Sequence, residues 1–260
     1  MVRGLYTAYT GMAHQMDRLD VITNNMANAD TTGYKREGIT SRSFSDVLTY
    51  KVKDLSTPFT YAENIGTMSL GVKIGEGYTD WSQGSFEETG NTYDLALEGN
   101  GFFSISFTDK AGNESVMYTR DGEFVTDADG YLRTKEGDYV LSESGGLIQI
   151  PTDAANISIN SQGDIYADGE YVDTLGITDF EDYDYLRKYG ENYLIAVDGA
   201  TETDASCTVV QGYLETSNIN VVDEMVELIT ITRAYEANQK VLQAEDEMIE
   251  QSVTTVGRVQ

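Results

Sequence analysis

The sequence is poor in the residues on which much protein chemistry depends. Among 260 residues there is one cysteine, Cys207, and one histidine, His14. A single thiol excludes an internal disulfide framework, and one thiol with one imidazole excludes a multi-Cys/His zinc site. A Ser-His-Asp arrangement would have to use His14, which stands between Met12 and Met16 on a helical pattern, and a Cys-His pair would have to join it to Cys207 in a strand-like run. No catalytic residue, metal ligand or cofactor is expected from such material. Two prolines, Pro58 and Pro151, leave no Pro-rich linker. No apolar run approaches the roughly 18 residues that a spanning helix needs, so no membrane insertion is expected. Residues 1–20, "MVRGLYTAYTGMAHQMDRLD", break every apolar run and hold no signal-peptide core. Bases are also scarce. With 17 Lys and Arg against 44 Asp and Glu, the formal charge is −27, which repels nucleic acid and anionic membrane surfaces.

What is present suffices for a folded chain, since 40% of the residues are hydrophobic and 10% aromatic. The acid is unevenly placed. Residues 1–42 hold five bases and four acids, residues 213–260 hold three and nine, and the stretch between them holds nine and 31.

Both ends read as helices. From Leu5 the apolar positions step by four and three through Tyr9, Met12, Met16, Leu19, Ile22 or Thr23, and Met26. Near the other end Val221, Met225, Leu228, Tyr235, Leu242, Ile249 and Val256 follow the same steps, with Thr232, Gln239, Asp246 and Val253 completing the seam. Asn220 stands where an N-cap belongs, Asp223 follows three residues later, and Glu224 and Glu227 lie near the positive end of the helix dipole. Helices of about 24 to 35 residues reach about 36 to 50 Å. A single amphipathic helix packed on its own domain gives the same stripe, but helices longer than a compact domain of this size needs are expected to pair with one another as a coiled-coil-like domain.

Between them the period changes. "GNGFFSISF" alternates, "YLRT" and "YVLS" flank "KEGD", "ISIN" and "DIYADG" flank "SQG", and "NYLIAVDG" and "CTVVQGYL" close the series. Turns such as "DADG", 127–130, and "KEGD", 135–138, carry the glycines that tight reversals favour. The expected class is α+β: residues 1–45 and 214–260 form a discontinuous helical domain, and 46–213 form an inserted, acidic, mostly antiparallel β domain. Residues 50–70 show no clear period and read as an extended crossing segment.

Fragments that imitate binding motifs fail at defined positions. "GEGYTD" and "GNGFFS" begin as GxGxxG but place Asp80 and Ser104 at the third glycine. "DADGYL" departs from a calcium loop at Gly130 and Tyr131. The run "DFEDYDYLRKYGENY", 179–193, raises an acidic aromatic cleft, and hence an exported acidic cell-wall hydrolase, as an alternative; a solvated loop over packed tyrosines is the simpler reading. Trp81 reads as core.

The stretch "NNMANADTTGYKR", 24–36, is crowded with short polar side chains at the end of the first helix. Asn24 and Asn28, like Asn25 and Asn28, share a helix face, and Asn28 is positioned to end the helix in the left-handed conformation. Together with "GLYTAYTGM", 4–12, this stretch resembles the N-terminal signature of bacterial flagellar axial proteins, the rod and hook subunits of the basal body. The blocks at 83–105, 118–141 and 211–249 resemble that family too. Four ordered blocks cover roughly half the chain. "YLETSNINVVDEM" and "ITRAYEANQKVLQAEDEM" resemble the distal-rod branch, with proximal-rod and hook branches as alternatives. Met26, Tyr34 and "TIT", 230–232, depart from the usual pattern.

The resemblance implies a non-catalytic structural subunit that polymerises with itself, meets other rod and hook axial proteins, and leaves the cytoplasm through the flagellar type III export apparatus without signal-peptide cleavage. Its expected subunit contacts are Leu5, Tyr9, Met12, Met16, Leu19, Asn24, Asn25, Asn28, Met225, Leu228, Tyr235, Leu242 and Ile249. In that setting the amides would fix a register along which an apolar seam alone can slide.

Overall fold

A computed structural model describes residues 2–51, 63–110, 112–190 and 192–256. The chain is α+β and separates into two compact units: a helical unit of Met1–Met26, Glu37–Asp80 and Asn220–Gln260, and a β unit of Ala27–Arg36 and Trp81–Ile219. The helical unit thus continues past residue 45 to Asp80, while a ten-residue strap, 27–36, belongs with the β unit.

In the helical unit, α1 (Val2–Ala27) is followed by β1 (Glu37–Ser43), β2 (Val47–Lys51), β3 (Glu63–Met68) and β4 (Val72–Thr79), and the chain returns as α2 (Val221–Gln251). β1 pairs antiparallel with β4 from Glu37 opposite Thr79 to Ser43 opposite Val72, and β2 pairs with β3 from Val47 opposite Met68 to Lys51 opposite Glu63. Residues 50, 51 and 63–68, expected in a crossing segment, are therefore hairpin strand. The weak period reflects a register shift between Thr49 and Tyr50, and Val47, Leu48, Tyr50 and Met68 are all exposed, leaving no alternation to read. Residues 52–62 of that expectation lie outside the described residues, and 69–70 carry no regular structure.

Asn220 caps α2, its side chain accepting from the Val222 N–H at 3.1 Å. α1 ends at Ala27, but Asn28 does not turn left-handed. The Thr31 N–H instead bonds the Asn28 carbonyl, and the left-handed turn comes at Gly33, with φ +68°. There a Cβ would fall 2.6 Å from the Arg120 carbonyl carbon and the Asp121 nitrogen, so both conformation and space demand glycine.

The buried stripe of α1 departs from its apolar seam, and that of α2 follows its seam only at Leu228, Tyr235, Leu242 and Ile249. On α1 the row Gly4, Ala8, Gly11, Gln15, Arg18, Ile22 and Asn25 is nowhere exposed, whereas Tyr9 and Met16 are 60% and 57% exposed. On α2 the sheltered row is Glu224, Leu228, Ile231, Tyr235, Asn238, Leu242, Glu245 and Ile249, and Met225 is 49% exposed. The rows meet head to tail. A Cβ on Gly4 would come within 2.5 Å of Glu245 Oε1, one on Gly11 within 3.1 Å of Asn238 Nδ2, and Arg18 pairs with Glu227 at 2.5 Å. Small residues on α1 let it approach the polar side chains that interrupt the sheltered row of α2.

The β unit begins with β5 (Phe86–Glu88), β6 (Leu95–Gly99), β7 (Phe102–Thr108), β8 (Glu114–Thr119), β9 (Phe124–Thr126), β10 (Leu132–Thr134), β11 (Tyr139–Val140), β12 (Ile157–Ile159), β13 (Asp164–Ala167) and β14 (Glu170–Thr174). It continues with β15 (Ile177–Phe180), β16 (Leu186–Tyr189), β17 (Tyr193–Ala196), β18 (Glu202–Asp204), β19 (Cys207–Gln211) and β20 (Tyr213–Glu215). The main sheet has nine strands ordered β16-β17-β8-β7-β11-β10-β9, with β15 also on β7 and β18 on β15; smaller groups are β12-β13-β14, β19-β6 and β20-β5. The pairings are antiparallel, joined by turns such as that at Gly130, whose N–H bonds the Asp127 carbonyl at 2.9 Å.

Strand alternation places adjacent phenylalanines in different cores. Phe103 meets Phe124 edge to face at 5.1 Å among Leu95, Leu97, Leu132, Val140 and Ile165, while Phe102 packs with Tyr118, Phe180, Leu186 and Leu194. Trp81 closes the second cluster 5.7 Å from Phe102, the core role its sequence context suggested. The "GEGYTD" fragment lies largely in β4, and "GNGFFS" runs from the end of β6 into β7.

Candidate functional site

The polar stretch at 24–36 resolves into two sets of contacts. In the helical unit, Asn25 is 1% exposed and its amide reproduces a strand ladder pair, donating from Nδ2 to the Glu37 carbonyl at 2.8 Å and accepting from the Glu37 N–H at 3.0 Å. An asparagine can do this because one side chain carries both donor and acceptor. Asn24 is exposed on the same helix. In the β unit, buried Asn28 accepts from the Thr31 hydroxyl at 3.3 Å.

Downstream the strap is stitched to four segments of the β unit. Thr32 Oγ1 donates to Asp121 Oδ1 at 2.6 Å, the Gly33 N–H to the Glu215 carbonyl at 2.8 Å, and the Arg36 N–H to Asn218 Oδ1 at 2.8 Å. Lys188 donates to the Lys35 carbonyl at 2.8 Å and lies 4.2 Å from the Tyr34 ring centroid. Lys35 enters the interior and donates to the Ser82 carbonyl at 2.9 Å and to Glu215 Oε1 at 2.6 Å. The same oxygen accepts from the Gly84 N–H at 2.8 Å, and Arg120 approaches Oε2 at 3.4 Å. Burial pushes the Asp121 carboxyl above the usual range, an effect offset in part by the Thr32 hydroxyl and the Glu123 N–H.

Lys35, Arg120 and Glu215 were missed as a group. Each stands inside a block quoted for the resemblance, but their separation in sequence hides that they meet. The available signal was a charged residue beside a turn glycine or strand end, which does not distinguish a solvated charge from a buried one.

Among the expected contact residues, Leu5, Met12, Leu19, Leu228, Tyr235, Leu242 and Ile249 are half-buried, while Tyr9, Met16, Asn24 and Met225 are exposed. Further large apolar side chains are open on the helices: Tyr6 on α1, and Val222, Val226, Ile229, Val241 and Met248 on α2. Together they make the helices a candidate surface for association.

The groups that could have served chemistry have local partners. His14 is buried with Nε2 at 2.7 Å from Ser41 Oγ, and burial followed by the Arg18 charge lowers its pKa from 6.5. Cys207 is half-buried in β19 and burial raises its pKa. In the acidic run, Asp179 accepts from Tyr183 OH at 2.7 Å, and Asp182 caps a short 3-10 turn at Tyr183–Tyr185. Tyr183 is pushed up to about 12, by burial first and the Asp179 contact second. Among the described residues no group of three or more His, Cys, Asp or Glu could hold a metal. No described helix is long and apolar enough to cross a membrane.

Two terminal helices with open apolar faces, joined to an acidic antiparallel β unit, define a protein whose prominent feature is surface for association. Residues 5–35 match the family described as flagella basal body rod protein, residues 96–167 the flagellar hook protein FlgE/F/G D1 domain, and residues 210–255 the flagellar basal body rod FlgEFG protein C-terminal region. The chain is 33% identical over 268 residues to the flagellar basal-body rod protein FlgG of Bacillus subtilis, covering 97% of this chain and 98% of that protein. It is 36% identical over 264 residues to FlgG of Agrobacterium fabrum, at 95% and 97% coverage. To the flagellar basal-body rod protein FlgF of Caulobacter vibrioides it is 31% identical over 255 residues, at 96% and 98% coverage. The chain belongs to the flagellar basal-body rod protein family.

Proposed function

We propose that this chain is a structural subunit of the bacterial flagellar basal-body rod, most closely of the distal-rod type, and that it polymerises into a tube through its terminal helices. The observation that carries the reading is the set of large apolar side chains left open on both helices of a family member, headed by Tyr9, Met16 and Met225. Burying them against neighbouring copies supplies a driving force that the isolated chain leaves unused. A head-to-tail interface of this kind repeats by screw rotation without closing, which is how one subunit makes a filament.

In this reading the helices complete a coiled-coil-like inner layer in the polymer, with Leu5, Met12, Leu19, Leu228, Tyr235, Leu242 and Ile249 joining the exposed row. Asn24 takes the polar part of the contact, while Asn25 and Asn28 act through the positions of β1 and the strap. Other rod and hook axial proteins are the neighbours, the flagellar type III apparatus exports the subunit, and its role is mechanical. The "YLETSNINVVDEM" block, which resembles the distal-rod branch, supports the distal over the proximal assignment.

The test is to purify basal bodies from the native organism and from a strain lacking this gene. Presence of the chain in the first, and truncated or absent rods in the second, is the expected result. Intact rods without the chain would end the proposal. Specific antibody labelling along the rod separates distal from proximal placement.

A further inference from the structure

We propose that Lys35, Glu215 and Arg120 form a charge latch that seats residues 31–36 on the β unit, and that the strap opens as a unit while the β core stays folded. The contacts of the strap are mainly directional and polar, apart from the burial of Tyr34. It contributes no strand of its own; backbone atoms of Gly33 and Arg36 bond loop and strand-end atoms. Segments held this way open below the free energy of global unfolding.

The charges make that opening permissible. Seated, the latch holds two cations and one carboxylate, all at most 7% exposed. Glu215 divides its oxygens: Oε1 takes Lys35 and the Gly84 N–H, and Oε2 faces Arg120. When Lys35 leaves, Arg120 still neutralises Glu215 and Gly84 still donates to it. Arg120 is independently held by the Gly99 carbonyl at 2.8 Å and lies 5.2 Å from the Phe102 ring centroid. Opening therefore strands no unpaired buried charge, the usual reason that a broken buried pair is so destabilising. Losing Glu215 is different, because two buried cations would then face each other without an anion. The latch is asymmetric by construction.

Hydrogen exchange followed by mass spectrometry on the full chain, together with denaturant unfolding, tests this. In Lys35→Met, peptides covering 31–37 should exchange at least tenfold faster, while those covering 82–85, where the Gly84 N–H stays on Glu215, and those of β7 and β8 keep their rates. Lys35→Arg, which retains the charge, should restore most of the protection. Glu215→Gln should release the same peptides and also lower the unfolding midpoint, and Lys35→Met combined with Glu215→Gln should recover part of that midpoint. Unchanged exchange at 31–37 in Lys35→Met overturns the proposal. So does equal acceleration throughout the β unit, which would make the strap an inseparable part of the core. If Lys35→Met does not fold while Lys35→Arg does, the separately opening strap is likewise refuted.

Discussion

The two units of this chain solve the problem of stability in opposite ways. The β unit carries most of the charge, 28 acids against eight bases, and yet contains continuous apolar clusters together with a buried, hydrogen-bonded ion group. The helical unit, with 16 acids and nine bases, buries few large apolar side chains, Ile22 and Ile231 among them, and leaves others such as Tyr9, Met16 and Met225 exposed. In the proposed polymer the helical unit is the one that neighbouring copies complete, and the difference teaches that burial inside the subunit and burial between subunits compete for the same residues.

The comparison breaks most visibly in the β core. Phe103→Ala removes a fully buried ring from its contact with Phe124 and should cost about 3–5 kcal/mol, read as a lowered denaturant midpoint of β-unit fluorescence and circular dichroism. A loss under about 1 kcal/mol would show that the core has less to lose than its packing indicates.

Asn25→Leu comes next. It keeps a similar size but leaves the Glu37 N–H and carbonyl without their side-chain partner, a loss of about 1–3 kcal/mol. Faster amide exchange at Glu37 is the direct readout. Normal exchange there, with irregular rods in cells, would move the amide's role from the subunit to the contact between subunits.

A smaller effect is expected from pH. The folded pKa of His14 lies below 6.5 because burial and Arg18 oppose its protonation, so the unfolded chain takes up the proton more readily. Its contribution to stability is thus fully present above pH 6.5 and is lost as pH falls through the lowered folded value. His14→Gln should flatten the difference in helical-unit stability between pH 8 and pH 5. An unchanged pH profile would show that the ring is not buried in solution.

The smallest effect on the monomer should come from the largest exposed side chains. Tyr9→Ser and Met16→Ser should each shift the unfolding free energy by no more than about 0.5 kcal/mol. Their effect belongs to assembly, measured as lost motility and short or missing rods in electron micrographs. A large loss of monomer stability would mean that these side chains are needed within the subunit.

Some of this was legible beforehand. The heptad steps predicted both helices, Asn220 marked the start of α2, and glycine-bearing turns at 127–130 and 135–138 separated strands that do pair. The buried face of α1 was not legible. A row of Leu and Met and a row of Gly and Ala both recur every three or four residues, and periodicity does not say which one a neighbour requires. Reading Asn28 as a left-handed cap failed for a related reason: Gly33, five residues on, meets that backbone requirement without a side chain.

By itself, the sequence determined what depends on neighbours along the chain: helix and strand periods, caps, turns, charge, and the scarcity of thiol and imidazole. Four ordered blocks also carried the family resemblance. Tertiary structure alone decided which stripe of α1 is buried, that Asn25 substitutes for a strand partner of Glu37, and that Lys35, Arg120 and Glu215 share one buried site. Those outcomes depend on distance and desolvation between residues remote in sequence, and a charged side chain has the same letter whether its partner is water or a buried carboxylate.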